Sequence, residues 1–240
     1  MGEGGGRIGR RGVLAGLGAG ATLGTAAALM PRQVMADAGS PAVDVALLLA
    51  VDASASISKG LLDFQLRGHA DAFRHQGVAA AIAGGPMGRI AVQLCQFAGP
   101  DTLTTLVPWT LLSNAEECAD FARRIDAAPG IAMGGSTALG SAVIQGVERL
   151  DGIPFSSTRR TIDIVSNGFN NAGLDPLTAR GHAAAAGVTV NALAILDEYD
   201  WLESYYAGSV IAGRGSFVRT AATREDFAAA FLAKLVTEIA

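Results

Sequence analysis

In the stretch AVDASASIS, residues 50–58, an acid and two hydroxyls stand at alternate positions: Asp52, Ser54 and Ser56. A loop of this kind offers one carboxylate and two hydroxyl oxygens, and water can complete an octahedron around an ion held there. All are hard donors, which suit Mg²⁺, Mn²⁺ or Ca²⁺ rather than zinc or copper. Two further loops carry matching groups. In GGSTALGSAV, residues 134–143, Thr137 follows a glycine turn and opens a helical pattern. In DIVSNGFNN, residues 163–171, an apolar run ends in Ser166, Asn167 and Gly168. The competing reading of the serines is a capping loop, whose hydroxyls accept from the first amides of the helix starting near Ser58. The Thr137 loop favours a metal site, because the motif then has its structural context.

The same residues speak against catalysis. A serine hydrolase needs a G-x-S-x-G elbow with a paired histidine, and the chain has no such elbow. His69, His75 and His182 all fall in helical patterns, and neither H-E-x-x-H nor G-x-x-x-x-G-K-[ST] occurs. A Mg²⁺-dependent phosphohydrolase could use Asp52 but would want a second carboxylate where Asn167 stands. A binding module is therefore expected, not an enzyme. Trp201, Tyr205 and Tyr206 in DEYDWLESYYAG either form a binding surface or pack their segment onto the core, and packing is favoured.

These loops need a frame. Half of the 240 residues are hydrophobic and 17% are charged, enough apolar content for a substantial core and too much for disorder. The net charge of −4, with no basic run interleaved with aromatics, excludes a nucleic-acid footprint. VDVALLLAV (43–51) reads as a strand buried on both faces, and GRIAVQLCQFAG (88–99), RRTIDIVSN (159–167) and VTVNALAIL (188–196) read as further strands. TLTTLVPWTLL (102–112) reads as an edge strand because Pro108 cannot donate to a ladder, and GSFVRTA (215–221) as a short last strand. Helical patterns cover 58–76, 114–128, 137–150, 175–187 and 223–240. The alternation predicts an α/β fold: a doubly wound, mostly parallel sheet with helices on both faces, whose ligands bind at the carboxyl ends of the strands.

Residues 1–36 stand apart. Arg10 and Arg11 precede a weakly apolar run from Val13 to Met30, and Val34-Met35-Ala36 or Ala36-Asp37-Ala38 offers a small-x-small cleavage site. This resembles a twin-arginine export signal, with an uncleaved anchor as the alternative. GLGAGATLG within it lacks the G-x-G-x-x-G spacing and follows no strand, so it is not a dinucleotide site. Removing 1–36 takes away a net charge of +3 and leaves −7, with a linker at 37–42 and one domain over 43–240. A periplasmic or secreted location without a remaining membrane span is expected. Cys95 and Cys118 read as two separate buried thiols, although export would permit a disulfide.

Taken together, the D-x-S-x-S loop, Thr137 and the strand ending at Asn167 resemble the metal-ion-dependent adhesion site of the von Willebrand factor A domain, over nearly all of residues 43–240. More narrowly, AVDASASIS, GRIAVQLCQFAGP, VPWTLL, GGSTALGSAV, RTIDIVSNGFNNAG and YYAGSVIAGRGSFV resemble an exported bacterial family of unknown function. The resemblance implies that hydroxyls of Ser54, Ser56 and Thr137 bind a divalent cation and that Asp52 does so directly or through water. It also implies a protein partner, whose carboxylate completes the shell. Asn167 stands where the family pattern has an aspartate. Its amide oxygen accepts hydrogen bonds but brings no charge, which implies weaker metal binding or a metal-free interaction domain.

Overall fold

The computed structural model describes Met1 and residues 39–128, 130–223 and 225–240. The export-signal reading of residues 1–36 falls, but for Met1, outside the described residues. The strands are β1 (Ala46–Asp52), β2 (Ile90–Phe97), β3 (Thr104–Leu112), β4 (Arg160–Ser166), β5 (Val188–Ile195) and β6 (Val218–Ala221). The helices are α1 (Lys59–Arg74), α2 (Gln76–Ala83), α3 (Ala115–Ala127), α4 (Leu139–Asp151), α5 (Pro176–Ala185), α6 (Leu202–Ser209) and α7 (Phe227–Ile239).

β1 is buried along its whole length, as an unbroken apolar run requires of a strand covered on both faces. Leu47, Leu49 and Val51 enter one core with side chains of α1, α2, α3 and α7. Ala46, Leu48 and Ala50 enter the other with α4, α5 and α6. The described strands form one sheet of order β3-β2-β1-β4-β5-β6. All neighbours pair in parallel except β2 with β3, which is antiparallel and places β3 at the edge as Pro108 indicates. This is the doubly wound fold expected. Chain order reverses between β1 and β4, so the crevice at their carboxyl ends is the place where such a sheet receives ligands.

The helix starts follow their capping residues. Ser58 accepts from the amide of Leu61 at 3.2 Å and Asn114 from that of Glu117 at 2.9 Å. Asp175 accepts from that of Thr178 at 3.1 Å, with Pro176 in the first turn. Thr223 and Asp226 bracket each other before α7, the amide of each donating to the other's side chain. Two elements differ from the sequence reading. The pattern over 58–76 breaks at His75, whose extended backbone ends α1 and whose Nδ1 accepts from the amide of Gly77, starting α2. The segment after β5 contains α6, which buries only Leu202 and Tyr206 and so shows no long apolar period.

Cys95 lies in one core and Cys118 in the other, on opposite faces of the sheet, and both thiols are free. Burial pushes each up to about 11, so neither supplies a thiolate near neutrality.

Candidate functional site

Asp52 closes β1 and is fully buried. Its Oδ1 accepts from the amide of Ser54 at 2.8 Å, and its Oδ2 from the hydroxyl of Ser166 at 2.5 Å. Ser166 ends the neighbouring β4, so the second bond spans the switch point. Burial pushes the Asp52 carboxyl up, opposed by the hydrogen bonds from Ser166 and Ser54. Its hydrogen-bond donors among the described residues are all neutral.

The other predicted residues converge here from separate loops. The Thr137 hydroxyl donates to Ser54 Oγ at 2.9 Å, and the Ser56 hydroxyl donates to Asn167 Oδ1 at 3.0 Å. Asn167 Nδ2 donates to Asp197 Oδ1 at 3.3 Å. A carboxylate only accepts, so Asp197 fixes the amide with its NH₂ outward and its oxygen toward Ser56. The hydroxyl that caps α1 is Ser58. Ser54 and Ser56 point their hydrogen bonds into the site instead.

The Thr137 loop is held at both ends. Asn171 Oδ1 accepts from the amide of Thr137 at 2.8 Å, and the Asn171 amide returns a bond to Thr137 O at 2.9 Å. Gly135, with φ of 75°, turns its carbonyl to the amide of Ala55 at 3.1 Å, which ties this loop to the one after β1. That left-handed conformation is strained for any residue with a Cβ, hence the glycine.

A pocket of about 130 Å³ opens at this rim. Ser54, Ser56 and Thr137 line it together with Phe169, Glu198 and Tyr199. Asp52 and Asn167 sit behind this lining, each one hydrogen bond from a residue that faces the pocket. The donors are oxygens, and among the described residues no group of three or more His, Cys, Asp or Glu gathers as a metal centre. Oxygen donors of this kind are those that hard divalent cations take.

Three contributors had no role assigned from the sequence. Ser166 and Asn171 lie within motifs that were recognised, yet their partners are distant in the chain. Glu198 belongs to the loop after β5, and its position at the end of a parallel strand is the feature that could have marked it. The aromatic segment divides between its two readings. Tyr206 is buried and donates its hydroxyl to Gly168 O at 2.6 Å. Trp201 is 43% exposed and meets Phe169, Tyr199 and Tyr205 at ring separations of 5.2–5.9 Å.

A family model described as "Protein of unknown function (DUF1194)" matches residues 42–240. The chain belongs to this family. Its fold is that of the von Willebrand factor A domain, as similarity to solved structures shows. Proximal thread matrix protein 1 from the mussel byssus, "with zinc occupied MIDAS motif", is 19% identical with a TM-score of 0.59, over 83% of this chain and 48% of that one. The pilus adhesin SpaC from Lactobacillus rhamnosus GG is 15% identical with a TM-score of 0.58, over 83% and 30%. A von Willebrand factor type A protein from Catenulispora acidiphila is 13% identical with a TM-score of 0.55, over 82% and 43%. The chain thus spans less than half the length of each of these three. No curated protein matches it.

Proposed function

We propose that this DUF1194 chain is an exported protein-binding module of adhesion type, which holds a divalent cation at the carboxyl-end rim of its sheet. One observation carries the reading: a fully buried aspartate with neutral hydrogen-bond donors stands directly behind hydroxyls from two loops. A buried charge is costly unless paired, and a cation at the rim would pair it. Ser54, Ser56 and Thr137 would hold the ion through their hydroxyl oxygens, Asp52 directly or through water, and Asn167 through a bound water. Mg²⁺, Mn²⁺ or Ca²⁺ would supply an electrophilic point for a carboxylate of the protein partner. The adhesin and the metal-bearing byssus protein among the structural relatives support the same reading.

Calorimetric titration tests it. Asp52→Ala abolishes Mg²⁺ and Mn²⁺ binding while the buried sheet keeps the domain folded. Asn167→Asp tightens binding on the order of tenfold, for about 1.4 kcal/mol of added attraction net of desolvation. If Asp52→Ala binds as wild type does, the site lies elsewhere. The second reading is a metal-free interaction domain. It is favoured by the hydroxyls satisfying one another, Thr137 on Ser54 and Ser56 on Asn167. A wild-type chain that gives no heat with either cation establishes it. Neither reading involves catalysis.

Export rests on the Arg10-Arg11 pair, and no helix of the described residues is long and apolar enough to cross a membrane. Replacing both arginines with lysine traps the precursor in the cytoplasm. Normal export of that variant overturns this part of the reading.

A further inference from the structure

A divalent cation held by Asp52 alone would keep an excess positive charge, and the carboxyl end of β4 offers only the neutral amide of Asn167. The next strand over ends in acids. β5 lies beside β4, so its carboxyl end opens at the same rim. There the amide of Leu196 bonds to Ala221 O at 2.9 Å and holds the chain to the sheet. Asp197 and Glu198 follow.

The neighbours of Glu198 are anchored on both sides, while its own side chain is exposed. Before it, Asp197 accepts from Asn167. After it, Tyr199 packs edge-on against Phe169 at 5.5 Å, and both rings wall the pocket. Glu198 lines that pocket with Ser54, Ser56 and Thr137, and is the one acid among the described residues that line it. It enters no hydrogen bond or ion pair among the described residues, so nothing there competes for its carboxylate.

We propose that Glu198 is the second carboxylate of the cation site, supplied from the end of β5 in place of the acid absent at Asn167. The assignment rests on the cation reading above. It places the two charges on opposite sides of the hydroxyl set: Asp52 behind it and Glu198 in front. Because Glu198 belongs to a loop and is exposed, it can move toward an ion without disturbing the core.

Titration of the full chain with Mn²⁺, followed by calorimetry, tests this. Glu198→Gln weakens binding on the order of tenfold, the equivalent of about 1.4 kcal/mol. Adding Asn167→Asp to Glu198→Gln restores it. Glu203→Gln, an exposed acid on α6 that does not line the pocket, leaves affinity unchanged. Thermal unfolding in EDTA is the same for wild type and Glu198→Gln, which separates ligation from a structural role. An undiminished affinity in Glu198→Gln, or an equal loss in Glu203→Gln, overturns the assignment while the cation reading stands. A wild type that does not titrate removes the cation reading, and the assignment falls with it.

Discussion

Two aspartates on adjacent strands, Asp52 at the end of β1 and Asp163 in the middle of β4, are both fully buried, yet the protein treats them differently. Asp163 has its own cation. Lys234 of α7 reaches it at 2.6 Å and also bonds Glu238, which in turn accepts from Asn191 at 2.8 Å. Burial and the neighbouring Glu238 push the Asp163 carboxyl well up, opposed by Lys234. Among the described residues Asp52 is held by a serine amide and a serine hydroxyl. One carboxylate is closed off by the chain itself and pins α7 to the sheet. The other is poised at a rim where an external charge can reach its surroundings. A buried charge is thus a structural device or a receptive one according to where its counter-ion comes from.

The widest gap between the two should appear on deleting charge. Lys234→Met strands two buried carboxyls and costs about 3–5 kcal/mol, read by urea unfolding. Asp52→Asn in EDTA costs no more than about 1 kcal/mol, because it removes an unpaired charge and keeps the shape. Saturating Mg²⁺ then stabilises wild type by about 2.7 kcal/mol at a hundred times Kd and leaves Asp52→Asn unmoved. Equal destabilisation by the two substitutions would erase the distinction.

A smaller effect comes from His69, beside the ionic cluster. Its Nδ1 donates to Gln65 O at 2.7 Å, its ring lies 3.8 Å from that of Phe231, and burial lowers its pKa to about 4, with Lys234 adding to the shift. The unfolded chain takes up a proton below about 6.5, whereas the fold resists until about 4. Stability from the neutral ring is therefore complete above the unfolded value and is lost as pH falls through this window. Between pH 7 and pH 5 unfolding becomes easier by about 2 kcal/mol from this group. His69→Phe flattens that slope; an unchanged slope assigns it to other groups.

The smallest effect sharpens the rim itself. Tyr206→Phe removes the hydroxyl bond to Gly168 O and costs about 1 kcal/mol by thermal unfolding. It also weakens cation binding if the loop after β4 depends on that anchor, whereas the same cost with unaltered binding assigns Tyr206 to packing alone.

The sheet was legible because its strands are uninterrupted apolar runs, and the edge position of β3 because Pro108 interrupts one. Asp52, Ser54, Ser56, Thr137 and Asn167 were legible because each stands beside a strand end or a glycine turn, where local pattern marks a position. The fold brings them to one rim as two hydrogen-bonded groups, Asp52, Ser54 and Thr137 in one and Ser56 with Asn167 in the other. Glu198 was not legible, since only the pairing of β5 with β4 brings it to the rim. α2 was hidden because His75 breaks the backbone without breaking the helical composition, and α6 because two buried residues make no period. The Lys234 cluster left a trace that local pattern does not interpret. Asp163 stands between Ile162 and Ile164, and Lys234 between Ala233 and Leu235. Each is a lone charge in an apolar stretch, and only tertiary packing says that they answer one another.

The sheet's margins bear on how this domain can meet another chain. A free strand edge is a template for adding strands from a neighbour, and proteins that must avoid this shorten, kink or charge it. β3 carries exposed Pro108 and a shifted register against β2, and β6 has four residues with Arg219 exposed among them. Both margins are therefore poor templates. Growth of the sheet by edge-to-edge stacking, the route toward fibres, is disfavoured, and association with another polypeptide is left to surfaces other than these two margins.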